Sequence, residues 1–309
     1  MPKCVDCGTE TDRDVMCGAP DDLRCPVCVR KLRNIYEPAS SRPEAPPPPR
    51  VTYGVMGLAV VGTLLFWSKN DAVEPIIDSL LSNPSSVWDG QLWRFLTTCF
   101  FHANAYFGLH LLFNLYWIWK FGQVLEAWMG SVRYSAFFVL VGVGPVAAEF
   151  LFSPHGSIGL SGVGYAMFGL LYALRKDKDF AAEQIQPSVV QVFVVWFFVC
   201  IGLTYTGILP VANVAHGAGA ALGWLIGRAV LSRQRNIFVA GVAVLVIVIV
   251  GATQYMPWDH RYAWHKGDQA FARKDYSAAL DWYRRALSAD PDNEDLRKNV
   301  RRLESRVKP

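Results

Sequence analysis

The sequence predicts an all-α membrane protein, and three observations support this prediction. The chain has 309 residues, of which 52% are hydrophobic and only 18% are charged, whereas soluble domains usually contain about 25% charged residues. Its mean hydropathy is positive, at +0.20. The apolar residues are also clustered. The stretches 51–68, 150–174, 187–227 and 236–258 contain no Asp, Glu, Lys or Arg, and each is long enough to cross a bilayer.

The chain divides into four parts by composition. Residues 1–36 are polar and rich in cysteine, and residues 37–50 form a Pro-rich linker. Residues 51–258 form the membrane domain, and residues 259–309 are polar with helical periodicity. A long loop at 68–106, called the first loop below, separates the first two spans. The seven predicted spans are about 51–67, 107–124, 132–152, 159–175, 188–207, 212–231 and 237–255.

The basic residues indicate how the spans are oriented, because cytoplasmic loops carry an excess of Lys and Arg. These residues follow the second, fourth and sixth spans, whereas the short loops at 153–158 and 208–211 contain neither. We therefore expect a cytoplasmic N-terminus and, after seven spans, a C-terminus outside. Because no transit peptide is apparent, the expected location is a bacterial inner membrane, with an organelle membrane as the alternative.

Polar side chains inside membrane spans are costly, and here several are predicted to meet near the outer surface. His110 and Asn114 lie four residues apart near the start of the second span, so both project from one helix face. Ser161 opens the fourth span, and His216 lies a few residues into the sixth. All three spans run from outside to inside, so these four residues share a similar shallow depth.

A serine, a histidine and hydrogen-bond donors at one depth predict a site for acyl transfer. The hydroxyl of Ser161 is a weak nucleophile, and it needs a base such as His216 to accept its proton. Candidate donors for the developing oxyanion are the side chains of His110 and Asn114 and the backbone N–H of Leu160. A single serine or histidine in a membrane helix more often makes a packing hydrogen bond, so the prediction depends on the whole set.

Five short motifs also occur in a fixed order along the membrane domain. They are Trp93-Arg94 in the first loop, HLLFN at 110–114, Glu126 followed by Ser131, GLSGVGYAMFG at 159–169, and AHGAGAALG at 215–223 with Asn213 ahead of it. In content and order they resemble the motifs of the rhomboid family of intramembrane serine proteases. The resemblance covers about residues 51–231, and it implies a six-helix rhomboid core to which the last span adds a seventh helix.

The resemblance implies roles for particular residues. Ser161 and His216 would act as a catalytic dyad, since no acidic third residue is evident. Tyr165 would stack on the histidine, while Gly219 and Gly223 would let the sixth helix approach the fourth closely. The residues expected to form the oxyanion hole are His110, Asn114 and Leu160. The residues expected to support the dyad are Gly159, Gly162, Tyr165, Asn213, Gly219 and Gly223.

The resemblance also implies single-span membrane proteins as substrates, met within the lipid bilayer, and no cofactor for catalysis. Two other functions are compatible with the sequence. A catalytically silent rhomboid-like protein would bind membrane clients, although such proteins usually lack the serine or the histidine that this chain has. A transporter would use the intramembrane polar residues as a path and would give Ser161 no role. The modest net charge of +4 gives no indication of nucleic-acid binding.

Four cysteines near the N-terminus have the spacing of a metal site. Cys4, Cys7, Cys25 and Cys28 follow the pattern C-x2-C-x17-C-x2-C. Two such pairs suit a tetrahedral Zn²⁺ ion, so residues 1–36 are predicted to form a small zinc-ribbon-like domain. The ion would hold together a segment too small for a hydrophobic core. Two disulfides are the alternative, although the predicted cytosolic side is reducing. Cys17 has no partner at this spacing, so we expect it to be a spare thiol.

Residues 260–296 resemble a single tetratricopeptide repeat, with helices near 262–273 and 277–289. The residues at the spacings of that motif are Gly267, Phe271, Ala279, Tyr283, Ala286 and Pro291. One repeat buries little apolar surface, so either the helix at about 293–306 or a protein partner is expected to cover it. A helical hairpin with no binding role is the alternative.

Overall fold

The structure is a computed structural model that describes residues 1–18, 22–29, 48–104, 108–153 and 156–307. The chain divides into two compact units, Met1–Pro48 and Pro49–Pro309. Most of the predicted linker at 37–50 lies outside the described residues, and so do residues 30–36 of the predicted zinc-ribbon-like domain. The boundary between these two parts therefore stays a prediction.

The described residues of the first unit, 1–18, 22–29 and 48, have little regular structure. They include a 3-10 turn at Arg13–Val15 and two isolated β-bridges, which pair Lys3 with Glu10 and Cys17 with Arg24. The side chains that cluster in the interior of this unit are mainly cysteines. A segment with so little buried apolar surface needs a cross-link or a metal to hold its fold together.

The second unit is helical throughout the part of the chain that the structure describes. Its helices are, in chain order, α1 (Arg50–Ser68), α2 (Glu74–Leu80), α3 (Pro84–Trp88), α4 (Arg94–Thr97), α5 (Leu109–Met129), α6 (Ser131–Phe152), α7 (Ser161–Leu174), α8 (Asp179–Gln184), α9 (Pro187–Tyr205), α10 (Asn213–Leu231), α11 (Arg235–Ala252), α12 (His260–Ala272), α13 (Tyr276–Ala289) and α14 (Glu294–Glu304). No β-strand is formed by the residues described, so the predicted all-α class is confirmed.

Helices occur at all seven segments that the sequence predicts to cross the membrane. Five of them, α1, α6, α9, α10 and α11, are long and apolar enough to cross a bilayer. α7 is apolar but has only 14 residues, and α5 has 21 residues but includes Lys120 and Glu126. The apolar helices indicate an integral, multi-pass membrane protein.

α7 lies at the centre of the membrane domain. Most of its residues are buried, and it packs against α5, α6 and, most extensively, α10. In contrast, α9 and α11 are largely exposed, so their apolar side chains are available to the surrounding lipid. A helix enclosed by protein does not need to match the thickness of the lipid, which is consistent with the short length of α7.

A buried carboxylate joins α5 to α1. Glu126, near the end of α5, accepts hydrogen bonds from the backbone N–H groups of Val51 at 3.0 Å and Thr52 at 2.8 Å. The hydroxyls of Thr52 and Ser131 donate to the same carboxylate at 2.8 and 2.7 Å. The residue that precedes α1 is Pro49, whose side chain makes no capping bond. Glu126 therefore caps α1 from a neighbouring helix.

Arg94 fixes the first part of the first loop. Its guanidinium donates to the side chain of Gln91 at 2.7 Å, to the carbonyl of Leu81 at 2.8 Å and to the carbonyl of Asp78. Arg94 is buried, whereas the neighbouring Trp93 is exposed. The end of α2 is thereby tied to α4.

α12 and α13 form a helical hairpin, called the C-terminal hairpin below, and α14 packs against it. Gly267 allows close packing here, because a Cβ at this position would overlap the ring of Tyr283. The helices predicted near 262–273 and 277–289 are confirmed by α12 and α13. Assignment to a tetratricopeptide repeat stays a prediction, as does the protein partner predicted for it.

α12 contacts the first loop. The ring of Trp88, at the end of α3, lies 5.4 Å from that of Tyr262 and 5.7 Å from that of His265. The carboxylate of Asp89 lies 3.0 Å from His265 Nε2 and accepts a hydrogen bond from Gln269 at 2.8 Å. The C-terminal hairpin is therefore packed onto the loop that follows α1.

Candidate active site

Ser161 and His216 come together at the start of two crossing helices. Ser161 is the first residue of α7, and the turn before it contains Gly159 with a positive φ of 106°. His216 lies in the first turn of α10 and is buried. Its Nε2 atom is 2.7 Å from Ser161 Oγ. This is the contact that a general base needs in order to accept the proton of a serine.

Tyr165 holds the ring of His216. The two rings are stacked, with their centroids 4.6 Å apart and their planes 22° from parallel. The Tyr165 hydroxyl donates to the carbonyl of Phe193 at 3.1 Å, which fixes the tyrosine in turn. His216 Nδ1 has no hydrogen-bond partner among the described residues. Stacking, rather than a carboxylate, therefore orients the imidazole in the structure.

Gly219 and Gly223 allow α10 to lie directly against α7. A Cβ on Gly219 would overlap the carbonyl oxygen of Gly162, and a Cβ on Gly223 would overlap that of Ala166. Such close backbone approach is typical of small residues spaced four apart in membrane helices. The glycines thus set the separation at which the serine and the histidine can meet.

Replacing Gly223 with valine is expected to destabilise the protein by about 3 kcal/mol, because the side chain would push α10 away from α7. Unfolding in mixed detergent micelles would measure this loss. Gly241→Val in α11 is the matched control, since a Cβ there meets no atom within 4 Å. Equal destabilisation by the two variants would contradict the packing role of Gly223.

Two of the three predicted oxyanion donors already have hydrogen-bond partners. Asn114 Nδ2 donates to the carbonyl of His110 at 2.9 Å, and the N–H of Leu160 donates to His102 Nε2 at 3.2 Å. The imidazole of His110 lies beside the turn, with its Nε2 atom 2.9 Å from the position of a Cβ on Gly159. An oxyanion role for these residues stays a prediction. For Leu160 it requires the present bond to be exchanged, because a backbone N–H is a single donor, whereas Asn114 Nδ2 carries a second N–H besides the one that bonds His110.

His102 is a site residue that the sequence does not single out. It is fully buried and lies edge-on to His110, with 5.0 Å between ring centroids. Because the N–H of Leu160 donates to its Nε2 atom, Nδ1 must carry the proton and donate to Thr63 Oγ1 at 3.0 Å. His102 thereby ties α1 to the turn before Ser161. Its position after two phenylalanines, at the end of the first loop, is the only sequence signal.

Asn213 begins α10 and links it to α9. Its Nδ2 atom donates to Thr204 Oγ1 at 2.8 Å. Its Oδ1 atom is buried and has no partner among the residues that are described. The contact joins two helices at the level of His216, so the observed role of Asn213 is to hold the start of α10.

In the first unit, the four predicted metal-binding cysteines lie close together. The sulfur atoms of Cys4, Cys7, Cys25 and Cys28 are all within 4.8 Å of one another, and those of Cys7 and Cys25 are 3.7 Å apart. In a tetrahedral zinc site with Zn–S distances of about 2.3 Å, the sulfurs lie about 3.8 Å apart. All four are free thiols, and Cys17 lies outside the group. The cluster can therefore bind a metal ion.

A half-buried serine in hydrogen-bond contact with a buried histidine, set in apolar helices, defines a multi-pass membrane protein with a candidate nucleophile. Comparison with known proteins gives a finer assignment for part of the chain. Residues 89–233 match the Rhomboid domain. This match covers most of the membrane domain and supports an assignment of that domain to the rhomboid family.

Curated relatives that the chain matches include proteins named rhomboid protease GlpG. The chain is 33% identical over 180 residues to the protein of Serratia proteamaculans (strain 568), a match that covers 57% of this chain and 61% of that protein. It is 29% identical over 140 residues to the proteins of Yersinia pestis (strain Pestoides F) and Yersinia pseudotuberculosis serotype I (strain IP32953), covering 44% of this chain and 47% of each of them. The matches therefore span less than two thirds of these relatives, and they support the rhomboid family for the membrane domain.

Proposed function

We propose that this protein is an intramembrane serine protease that cleaves the membrane-spanning segments of other proteins. The observation that carries the proposal is the 2.7 Å contact between Ser161 Oγ and His216 Nε2, set within the helices of an integral membrane protein. The match of residues 89–233 to the Rhomboid domain and the GlpG relatives support it.

The proposed reaction uses Ser161 and His216 as a dyad. Ser161 Oγ attacks the scissile carbonyl carbon while its proton passes to His216 Nε2. His216 then gives this proton to the leaving amine as the peptide bond breaks, which leaves an acyl-enzyme ester. A water molecule, deprotonated by His216, attacks the ester, releases the second fragment as an acid and restores the serine hydroxyl. Tyr165 keeps the imidazole in place through both steps.

The proposed substrates are single-span membrane proteins whose helix unwinds locally near the site. Unwinding is required because the peptide bonds of an intact helix are hydrogen-bonded and shielded by side chains. Ser161 and His216 both lie in the first turn of a helix. A short extended segment of the substrate can therefore reach them from that end of the helices. No cofactor is proposed for this reaction.

We place the protein in a bacterial inner membrane, with the N-terminus in the cytoplasm and the C-terminus outside. The contact between α12 and the first loop supports the relative placement of these two segments. Between the first loop and the C-terminal hairpin the chain crosses the membrane six times, in α5, α6, α7, α9, α10 and α11. An even number of crossings returns the chain to the side on which the first loop lies. The first loop and the C-terminal hairpin then lie on one side, as their contact requires.

We propose Zn²⁺ as the ion that the four thiolates bind. Two similar turns present the sulfurs: the N–H of Gly8 donates to the carbonyl of Cys4 at 2.9 Å, and the N–H of Val29 donates to that of Cys25 at 3.0 Å. Paired thiolates on such turns are typical of structural zinc sites. The ion would hold the first unit together in place of a hydrophobic core.

Reconstitution in liposomes with a model single-span substrate tests the protease proposal. The wild-type chain is expected to produce two fragments whose new ends, determined by mass spectrometry, lie within or at the edge of the membrane segment. Ser161→Ala is expected to bind the substrate without producing fragments. If the wild type binds the substrate and leaves it intact, the protein is a client-binding relative of rhomboid proteases instead.

A further inference from the structure

A second buried carboxylate lies at the start of α10. Glu149, in the last turns of α6, is only 9% exposed. Its Oε2 atom accepts a hydrogen bond from the backbone N–H of Ala215 at 3.0 Å. Ala215 directly precedes His216, so the carboxylate holds the peptide next to the proposed base.

α10 cannot cap its own N-terminus. The first N–H groups of a helix have no carbonyl partner within it, and the residue that precedes α10 is Ala212, which offers no side-chain acceptor. The first helical hydrogen bond to Ala212 comes from His216, whose N–H donates to the Ala212 carbonyl at 3.2 Å. The N–H of Ala215 therefore has no acceptor within α10, and it donates instead to Glu149 on the neighbouring helix α6.

The same turn of α10 is confined by α6 and α7 together. Pro145 lies one turn before Glu149, and therefore on the same face of α6. A Cβ on Gly162, the residue after the serine, would lie 3.3 Å from Pro145 Cβ and 3.8 Å from Ala215 Cβ. Ala215 is thus the point at which the three helices meet, and any displacement of this turn moves the histidine relative to the serine.

We infer that Glu149 is a positioning residue for the dyad. Its carboxylate oxygen caps the first turn of α10 and so sets the separation of Ser161 Oγ from His216 Nε2. This inference rests on the proposed protease function. What the role requires is an acceptor oxygen at this place, not a group that touches the substrate, so glutamine can fulfil it and alanine cannot.

Steady-state cleavage by two variants tests the inference. Glu149→Ala is expected to lower kcat about tenfold or more, with KM near the wild-type value, because a misplaced base slows the chemical step and leaves substrate binding intact. Glu149→Gln keeps an acceptor oxygen and is expected to stay within about threefold of wild type. Unfolding temperatures measured in the same detergent separate a loss of rate from a loss of fold.

Hydrogen exchange gives a readout that does not depend on cleavage. Exchange at residues 213–216 is expected to become faster in Glu149→Ala and to stay near wild type in Glu149→Gln. Glu126→Ala is the matched control, because Glu126 caps α1 in the same way and α1 contains no residue of the dyad. It is expected to lower the unfolding temperature while leaving exchange at 213–216 unchanged.

Two results would overturn the inference. One is a Glu149→Ala variant with wild-type kcat and unchanged exchange at the start of α10. The other is a Glu149→Gln variant as slow as Glu149→Ala, which would mean that the charge and not the acceptor matters. If the wild type cleaves nothing, the protease proposal fails by itself, and the exchange data alone decide whether Glu149 caps α10.

Discussion

Replacing Ser161 with alanine is expected to lower kcat by at least about a thousandfold. The change removes the nucleophilic oxygen and little else, since the contact of that oxygen in the structure is with His216 Nε2 at 2.7 Å. Substrate binding and the unfolding temperature are therefore expected to remain near wild type. Single-turnover cleavage in liposomes, with substrate binding measured in parallel, checks both parts of this expectation.

Replacing His216 with alanine is expected to have an effect of similar size, and the double variant is expected to be no slower than either single variant. Residues that act together in one proton transfer lose their function as a unit, so their effects do not multiply. The rates of the two single variants and the double variant form a complete cycle. Losses that multiply in the double variant would show that the two residues do not share a step.

The second large effect is expected from removing the metal. The full-length chain is expected to contain one Zn²⁺ ion, and Cys25→Ser combined with Cys28→Ser is expected to lose it. Structural zinc sites of this kind bind with about 10–16 kcal/mol at neutral pH. Because the first unit buries few apolar side chains besides its cysteines, losing this free energy should unfold it and expose it to proteolysis.

Metal analysis and limited proteolysis of the N-terminal residues measure these two consequences. Cys17→Ser is the matched control, because Cys17 belongs to the same unit but is exposed and lies outside the thiol group. It is expected to retain both the ion and the resistance to proteolysis. A reduced and folded wild-type chain that contains no metal would refute the zinc proposal.

The positions of the membrane helices could be predicted because the bilayer imposes a length and a polarity on each segment locally. The meeting of Ser161 and His216 could be predicted for a related reason. Each lies at the start of a span, and the two spans run in the same direction, so topology alone gives them a common depth. Gly219 and Gly223 then show which face of α10 turns towards α7.

The contacts of His102 and Glu149 could not be predicted in this way. Each of these residues bonds to a backbone N–H on a different segment, Leu160 and Ala215 respectively. The identity of the bonded segment depends on the rotation and tilt of whole helices. Rotation and tilt are set by helix–helix packing rather than by local hydrophobicity. The same limit applies to Leu160, whose N–H is expected at the oxyanion but is bonded to His102 in the structure.

The contact between the C-terminal hairpin and the first loop has a consequence for biogenesis. His265 of the hairpin contacts Asp89, 176 residues earlier in the chain, and Gln254, just before the hairpin, donates to the carbonyl of Val87, 167 residues earlier. At synthesis rates of about 5–20 residues per second, the residues that complete the packing of the first loop are made about 8–35 s after the loop itself. The side of the membrane domain that carries the first loop is thus assembled last. A chain shortened before α12 would carry an unfinished first loop even though Ser161 and His216 were both already in place.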